Sequence, residues 1–156
     1  MVENFPFVGK WTGEGSVHPH GRYEEELNIE VFGTPGGKQL FYISKTWLPG
    51  KNYLDFPMHS EIGMVKVMQI AEDKANIEIT LSHPFGMAEI EVGLYENNSM
   101  TTETINISRT PSSSNNIVQR VRRHYWLDNG KLKYNIYLTI NDSEHLHLEA
   151  ELFKAN

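Results

Sequence analysis

The sequence predicts an all-β protein that forms a single ten-stranded antiparallel up-and-down β-barrel. Apolar and polar residues alternate along many segments, as in residues 27–32, and a period of two is typical of strands with one buried face. Turn-forming residues interrupt this alternation at short intervals, and Asn129-Gly130 is a strong two-residue hairpin signal. No segment shows a convincing pattern for a helix of normal length.

The segments between the turns predict the strands in order. They run over residues 7–17, 22–33, 38–47, 58–68, 75–83, 86–95, 100–108, 117–127, 131–140 and 145–153. Consecutive antiparallel hairpins close most economically into a barrel, because closure leaves no free strand edge. A barrel of this size has room for one ligand. No composition change divides the chain, so residues 1–156 are predicted to form one domain.

The first strand carries an unusual number of glycines around one tryptophan. Residues 9–15 read G-x-W-x-G-x-G. Glycine weakens a strand unless something needs the space, so the run predicts a bent strand with Trp11 plugging the bottom of the barrel. Motifs of this type occur across the calycin barrels, including lipocalins and fatty-acid-binding proteins. The run therefore favours a calycin-like barrel that holds a ligand.

The fourth strand begins after a turn-rich loop and brings a histidine near a carboxylate. Strict alternation directs Met58 and His59 to opposite faces and places His59 and Glu61 on the same face. Glu61 could then orient the imidazole ring, although a histidine beside a carboxylate is equally often an ordinary structural contact.

Alternation also assigns faces to the sixth and eighth strands. Apolar residues of 88–94 alternate with Glu89 and Glu91, which predicts a buried apolar face and a solvated acidic face. The eighth strand carries a group of basic side chains, namely Arg120, Arg122 and Arg123. We interpret this group as a solvated strand face that balances the many carboxylates of the surface.

Composition limits the classes of partner. The formal net charge is -6, from 14 basic and 20 acidic side chains, so nucleic-acid binding is disfavoured. The chain has no cysteine, no secretory signal pattern and no apolar run long enough to span a bilayer, so we expect a cytoplasmic protein that does not enter membranes. Aromatic residues that could support a homodimer are Tyr95, Tyr125, Trp126 and Tyr137.

Seven histidines are a generous number for this length. Two pairs have H-x-H spacing, His18 with His20 and His145 with His147. On a regular strand each pair would present two imidazoles on one face, which suits a metal ion, although ordinary surface histidines are the more frequent explanation. If the first and last strands are neighbours, all four imidazoles could approach one rim of the barrel.

Six motifs in order give the chain a specific resemblance. They are G-x-W-x-G-x-G at 9–15, Tyr23-Glu24-Glu25, Pro57-Met58-His59-Ser60-Glu61-x-Gly63, a G-x-x-E-x-x-x-G run from Gly86 to Gly93, Gly130-Lys131-Leu132-x-Tyr134 and His147-Leu148-x-Ala150-x-Leu152. Together they cover about residues 7–153, and in this order the chain resembles the nitrobindin family of heme-binding β-barrels.

The resemblance implies a function. Nitrobindins carry heme b at one open end of a ten-stranded barrel, and the histidine that matches their proximal iron ligand is His147. The opposite side of the heme is apolar and open in the family, so nitric oxide can bind, and family members are credited with isomerising peroxynitrite to nitrate. The positions that match the lining of the family's cavity are Met58, His59, His83 and Leu138.

This chain departs from the family pattern at two histidines. Aligning the prolines of 18–21 puts His20 where the family has a threonine, and there it could contact heme, become a sixth ligand or block the site. His83 replaces a residue that is often polar and uncharged. Strict alternation also turns His147 outward, so the heme interpretation predicts a β-bulge near His147. Candidate partners for the heme propionates are Lys131, Arg123 and Lys45.

Two other classes of function stay open at this point. The first is a carrier of a fatty acid or another small hydrophobic ligand, in which Arg123 and Tyr125 would match the R-x-Y pair that holds a carboxylate, although they fall on the eighth strand rather than the last. The second is a metal-binding module without porphyrin, built from the H-x-H pairs.

Overall fold

The computed structural model describes residues 2–156, which contain ten β-strands and one short turn of 3-10 helix at Val2–Asn4. The strands are β1 (Gly9–Val17), β2 (Arg22–Thr34), β3 (Gly37–Trp47), β4 (Pro57–Ala71), β5 (Lys74–His83), β6 (Met87–Glu96), β7 (Ser99–Arg109), β8 (Arg120–Asp128), β9 (Lys131–Ile140) and β10 (Ser143–Lys154). Each observed strand overlaps the predicted one. The largest differences are a longer β4 and a later start of β8.

The ten strands close into one antiparallel barrel in which every strand pairs with its neighbours in sequence and β1 also pairs with β10. Gly13 shows the closure, because it lies opposite Glu25 of β2 on one side and Leu152 of β10 on the other. The predicted all-β, ten-stranded up-and-down barrel is therefore confirmed. In the described residues no helix is long and apolar enough to cross a membrane.

One end of the barrel is closed by aromatic side chains. Phe5, Phe7 and Tyr95 pack edge to face, with ring centroids 4.8–5.9 Å apart. The indole nitrogen Nε1 of Trp11 donates to the carbonyl oxygen of Phe7 at 2.9 Å, which ties β1 to the segment that precedes it. Trp11 thus helps to close this end of the barrel, as the sequence predicts. Phe5, Phe7 and Tyr95, which lie outside the G-x-W-x-G-x-G motif, complete the closure.

The opposite end is bordered by the loops that follow the odd-numbered strands. The longest of these loops, residues 110–119, separates β7 from β8. These two strands pair only from Ser99 opposite Trp126 to Glu103 opposite Arg122, so they diverge toward this end. The structure therefore has one sealed end and one end where a cavity can open.

The faces of β6 are the reverse of the prediction. Glu89 and Glu91 are buried, with 1% and 0% of their surface exposed, whereas Ile90 and Val92 are 42% and 36% exposed. The alternation itself is regular, so the sequence gives the correct period and the wrong face. The physical reason is a buried cation from β8, described below, that offsets the cost of burying these carboxylates.

Several glycines allow neighbouring strands to approach closely. A Cβ atom placed on Gly93 would lie 1.9 Å from the carbonyl oxygen of Thr101 on β7, and one placed on Gly63 would lie 2.1 Å from that of Thr80 on β5. Real Cβ atoms do not approach backbone oxygens so closely, so the local strand geometry depends on the absence of a side chain.

We predict that Gly93→Ala destabilises the protein by about 1–3 kcal/mol, because the new methyl group must push two paired strands apart. The matched control is Gly33→Ala on β2, where a Cβ would meet nothing within 4 Å and the cost should stay within about 0.5 kcal/mol. Urea unfolding of both variants measures the difference. Equal stabilities would show that Gly93 is not needed for strand spacing.

Candidate functional site

A cavity of about 310 Å³ opens at the loop-bordered end of the barrel. Its volume falls at the lower end of the range of roughly 300–1,000 Å³ that is typical of small-molecule sites. Five of the six residues that the sequence singled out line it, namely Met58, His59, His83, Leu138 and His147. The sixth, His20, lies on the exposed β1–β2 loop and is not among the lining residues.

His147 reaches the cavity through a β-bulge in β10. Leu146 lies opposite Tyr137 of β9, and Leu148 lies opposite the next residue, Ile136, so His147 is the extra residue between them. The extra residue changes the alternation, and both His147 and Leu148 line the cavity. The bulge that the sequence predicts near His147 is confirmed.

The same bulge separates the second H-x-H pair. His145 precedes the irregularity and is exposed, whereas His147 is half-buried in the cavity wall. In the first pair, Nε2 of His18 lies 3.3 Å from Glu149 on the outer surface, and His20 is exposed. Among the described residues, no group of three or more histidine or acidic ligand atoms within 4.8 Å of one another includes these histidines, so the structure does not support the alternative of a metal-binding module built from these pairs.

A second irregularity, in β4, brings Met58 to the cavity. Thr46 of β3 lies opposite His59, and Trp47 lies opposite Pro57, so Met58 is the extra residue. Met58 and His59 therefore both line the cavity, and the prediction that they point to opposite faces is wrong. Both rim bulges place consecutive residues at the opening, which regular alternation cannot do.

Histidines and carboxylates meet on one wall of the cavity. Nε2 of His59 lies 3.0 Å from Nδ1 of His83 and 3.5 Å from Oε1 of Glu61. Nδ1 of His83 lies 3.8 Å from the same carboxylate oxygen. The predicted proximity of His59 and Glu61 on one face is confirmed. The contact between His59 and His83 depends on the register of β4 against β5, and the sequence alone does not give this register.

Arg123 lies at the centre of the barrel, and 2% of its surface is exposed. Its guanidinium donates to both oxygens of Glu61 at 2.8 and 3.1 Å, to Glu89 at 2.6 Å and to Glu91 at 2.6 Å. Glu91 also accepts a hydrogen bond from Thr102 at 2.7 Å. The prediction that Arg123 belongs to a solvated face is wrong, because β8 directs it inward between three carboxylates.

The buried charges shift one another's pKa values. Burial alone would raise the pKa of Glu61, but Arg123 and His59 lower it well below its usual value. Burial raises the pKa of Glu91 to about 7, against the opposing effect of Arg123. For Arg123, the three carboxylates overcome burial and raise the pKa well above its usual value.

Glu25 forms a second buried polar group on the side of β2. It accepts hydrogen bonds from Ser44 at 2.9 Å and from the hydroxyl of Tyr134, which also contacts the hydroxyl of Tyr23 at 2.6 Å. Burial raises the pKa of Glu25 to about 7, even though both hydrogen bonds act in the opposite direction. Alternation with Leu27 and Ile29 could have placed Glu25 on the buried face, but the partners of its carboxyl on β3 and β9 depend on the assembled barrel.

Two of the three predicted propionate partners are not free cations at the rim. Lys131 follows the β8–β9 turn at the closed end and pairs with Glu151 at 2.9 Å. Lys45 alternates with the buried Ser44 and lies over the ring of Tyr53, 5.4 Å from its centre. Arg123 is bound by carboxylates, as described above. The prediction is therefore wrong for Lys131 and Arg123, and it stays a prediction for Lys45.

The carboxylates around Arg123 also argue against the fatty-acid alternative, in which Arg123 would bind the carboxylate of the ligand. Arg123 and Tyr125 are both buried inside the barrel, as that alternative requires. The guanidinium already contacts three carboxylates, so a fatty-acid carboxylate would add a fourth acidic group to one cation. Among the aromatics proposed for a homodimer, Tyr95 and Tyr125 are buried and cannot form an interface.

Comparisons with known proteins agree with this architecture. Residues 3–154 match the family model described as the THAP4-like, heme-binding β-barrel domain, so the chain belongs to this family of heme-binding barrels. The family resemblance that the motifs predicted is thereby confirmed, and heme binding is the property that defines the class.

Particular relatives are similar over most of the chain. Peroxynitrite isomerase 2 of Mycobacterium avium is 32% identical over 142 residues, which cover 85% of this chain and 80% of that protein. Peroxynitrite isomerase of Frankia casuarinae is 28% identical over 163 residues, which cover 96% and 82%. The crystal structure of Rv2717c from M. tuberculosis matches with a TM-score of 0.80 and 26% identity, covering 99% of this chain and 96% of that one.

We predict that Arg123→Met destabilises the protein by about 3–5 kcal/mol, because it leaves buried carboxylates without their cation. The control is Arg120→Met on the same strand, whose exposed pair with Glu103 should contribute at most about 1 kcal/mol. Chemical unfolding of both variants measures the costs. Similar losses for the two would mean that the buried network contributes no more than a surface pair.

We predict that Glu25→Gln becomes more stable relative to wild type as the pH rises from 5 to 8. In the folded protein Glu25 keeps its proton up to about pH 7, whereas in the unfolded chain its pKa is near 4.5, so rising pH favours unfolding of wild type through this group. At about 1.4 kcal/mol for each pKa unit, the relative gain is up to about 3 kcal/mol.

Unfolding free energies of wild type and Glu25→Gln at pH 5 and pH 8 measure this change. Glu26→Gln serves as the control, because Glu26 is a half-exposed neighbour that pairs with Lys10 on the outer surface. A stability difference between wild type and Glu25→Gln that does not vary with pH would show that Glu25 is ionised in the fold throughout.

Proposed function

We propose that this protein binds heme b in the open end of its barrel, where His147 would be the residue that holds the iron. The observation that carries the proposal is the bulge in β10, which directs one half-buried imidazole into an open cavity. Membership of the heme-binding barrel family supports the identity of the ligand.

The state of His147 suits this role. Burial lowers the pKa of His147 below its usual value, and the neighbouring His145 acts in the same direction. The imidazole is therefore neutral near pH 7, as a metal ligand must be. The backbone amide of His18 donates to the carbonyl oxygen of His147 at 2.8 Å, which holds the bulged backbone against the β1–β2 loop.

The lining of the cavity suits a ligand that is apolar over most of its surface. Apolar side chains that line it include Val17, Met58, Phe85 and Leu138. The wall formed by His59, Glu61 and His83 is polar, so this chain does not have the fully apolar open side that the family resemblance implies. The cavity opens to solvent, where the charged edge of a porphyrin could remain hydrated.

We further propose that the heme-loaded protein binds nitric oxide and isomerises peroxynitrite to nitrate. When bound, ferric heme would supply the site at which these small molecules bind and react. The chain would contribute the neutral His147 and a cavity with a largely apolar lining. The names of the relatives from M. avium and F. casuarinae support the isomerase activity.

Three further expectations stay predictions. A net charge of -6 disfavours nucleic acid as a partner. A cytoplasmic location rests on the composition of the chain. A homodimer would need contacts other than Tyr95 and Tyr125, because both are buried in the barrel.

We predict that wild-type protein binds hemin with a saturable Soret band and that His147→Ala loses this band or shifts it strongly. The matched control is His145→Ala, because His145 lies two residues away and is exposed. Absorption titration with hemin measures all three proteins. Unchanged binding in His147→Ala, or equal loss in His145→Ala, would contradict the assignment of the ligand.

Two additional measurements extend the test. Nitrate yield from peroxynitrite should rise with hemin-loaded wild type above the yield with free hemin, and an equal yield would contradict the isomerase proposal. A low-spin spectrum that becomes high-spin in His20→Ala would identify His20 as a sixth ligand, whereas an unchanged spectrum would exclude His20 from the iron.

A further inference from the structure

Three side chains on the cavity wall carry ligand atoms at the spacing of a metal centre. Nε2 of His59, Nδ1 of His83 and Oε1 of Glu61 are separated by 3.0, 3.5 and 3.8 Å. For metal–nitrogen and metal–oxygen bonds of about 2.0–2.2 Å, neighbouring ligand atoms lie roughly 3.0–3.5 Å apart. One ion could therefore contact all three atoms after small side-chain rotations.

We propose that His59, Glu61 and His83 form a binding site for one divalent transition-metal ion, separate from the heme ligand His147. Two imidazoles and one carboxylate are a donor set that zinc enzymes and non-heme iron(II) proteins use, with the remaining positions left for water or substrate. Within residues 2–156, His59, Glu61 and His83 are the group of three histidine and acidic side chains that each place one ligand atom within 4.8 Å of the other two.

The outer contacts of His83 support this assignment. His83 is buried, and its second ring nitrogen, Nε2, makes no hydrogen bond of good geometry although Oε1 of Glu89 lies 3.3 Å away. A histidine that binds a metal through one nitrogen usually donates from the other to a carboxylate. Glu89 is in place for that role, with a second oxygen that also makes no hydrogen bond in the described residues.

The charge of the barrel interior also favours a bound cation. Glu61 and Glu89 both bind the one buried guanidinium, Arg123, and both lie beside His83, at 3.8 and 3.3 Å. Buried anions are stable only when cations or hydrogen-bond donors compensate them. A divalent ion beside Glu61, close to Glu89, would add positive charge next to both of these carboxylates.

The site is accessible from the cavity. The side chain of His59 is 31% exposed, whereas those of Glu61 and His83 are 8% and 4% exposed. An ion would therefore enter past His59, with buried ligands on the inner side and open positions toward the cavity. Phe85 packs against both imidazoles, with ring centres 5.7 and 5.3 Å away, and limits their reorientation.

The test is titration of hemin-free protein with Zn²⁺ by calorimetry, and with Co²⁺ followed by visible absorption. Wild type should bind one equivalent of each ion, and bound Co²⁺ should gain the stronger d–d bands of a site with few ligands. His59→Ala should weaken Zn²⁺ binding by at least about 100-fold, since loss of supporting contacts alone costs about 10–100-fold. His83→Gln should do the same.

The controls are His145→Ala, an exposed histidine outside the cluster, and His147→Ala, the proposed heme ligand. Both should keep stoichiometric Zn²⁺ binding, and His147→Ala should lose hemin binding only, so the two proposals can fail separately. His59 is partly exposed, so its alanine variant should fold, which far-UV circular dichroism checks. Absence of stoichiometric Zn²⁺ binding in wild type, or unchanged binding in folded His59→Ala, would overturn the proposal.

Discussion

The burial of Arg123 is the constraint on which the rest of the barrel interior depends. A guanidinium without compensating anions would be too costly inside the barrel, so β4 and β6 direct Glu61, Glu89 and Glu91 toward it. The apolar residues between these glutamates then face outward. Arg123 also borders both the open cavity and a small apolar void near the closed end, so it lies between the two.

The elements of the fold could be predicted from the sequence because they depend on local pattern. Turn residues and a period of two locate all ten strands, and the conflict between the alternation and the inward role of His147 predicts its bulge. The faces of β6 could not be predicted in this way. Alternation states which residues share a face, but the face that is buried depends on Arg123, which lies on another strand.

For the site, the sequence likewise predicted which residues take part but not how they contact one another. Motif resemblance identified Met58, His59, His83, Leu138 and His147, and all five line one cavity. The contact between His59 and His83 depends on the register of β4 against β5, and the exposure of His20 depends on the path of a loop. Neither follows from spacing along the chain, because residues 24 positions apart meet only when the sheet is assembled.

Two departures from regular strand geometry therefore organise the cavity. The bulges at Met58 and His147 lie in β4 and β10. Each bulge turns toward the opening a residue that regular alternation would direct away from it. One wall then presents a single neutral imidazole, and another presents two imidazoles beside buried carboxylates. In our account the first holds a porphyrin and the second holds a smaller cation.

The most direct test of the central claim is a crystal structure of the protein grown with hemin. We predict porphyrin in the open cavity, with iron bonded to His147 and the apolar side chains of Met58 and Leu138 close to the ring. Iron bonded to a different histidine, or porphyrin bound on the outer surface of the barrel, would contradict it.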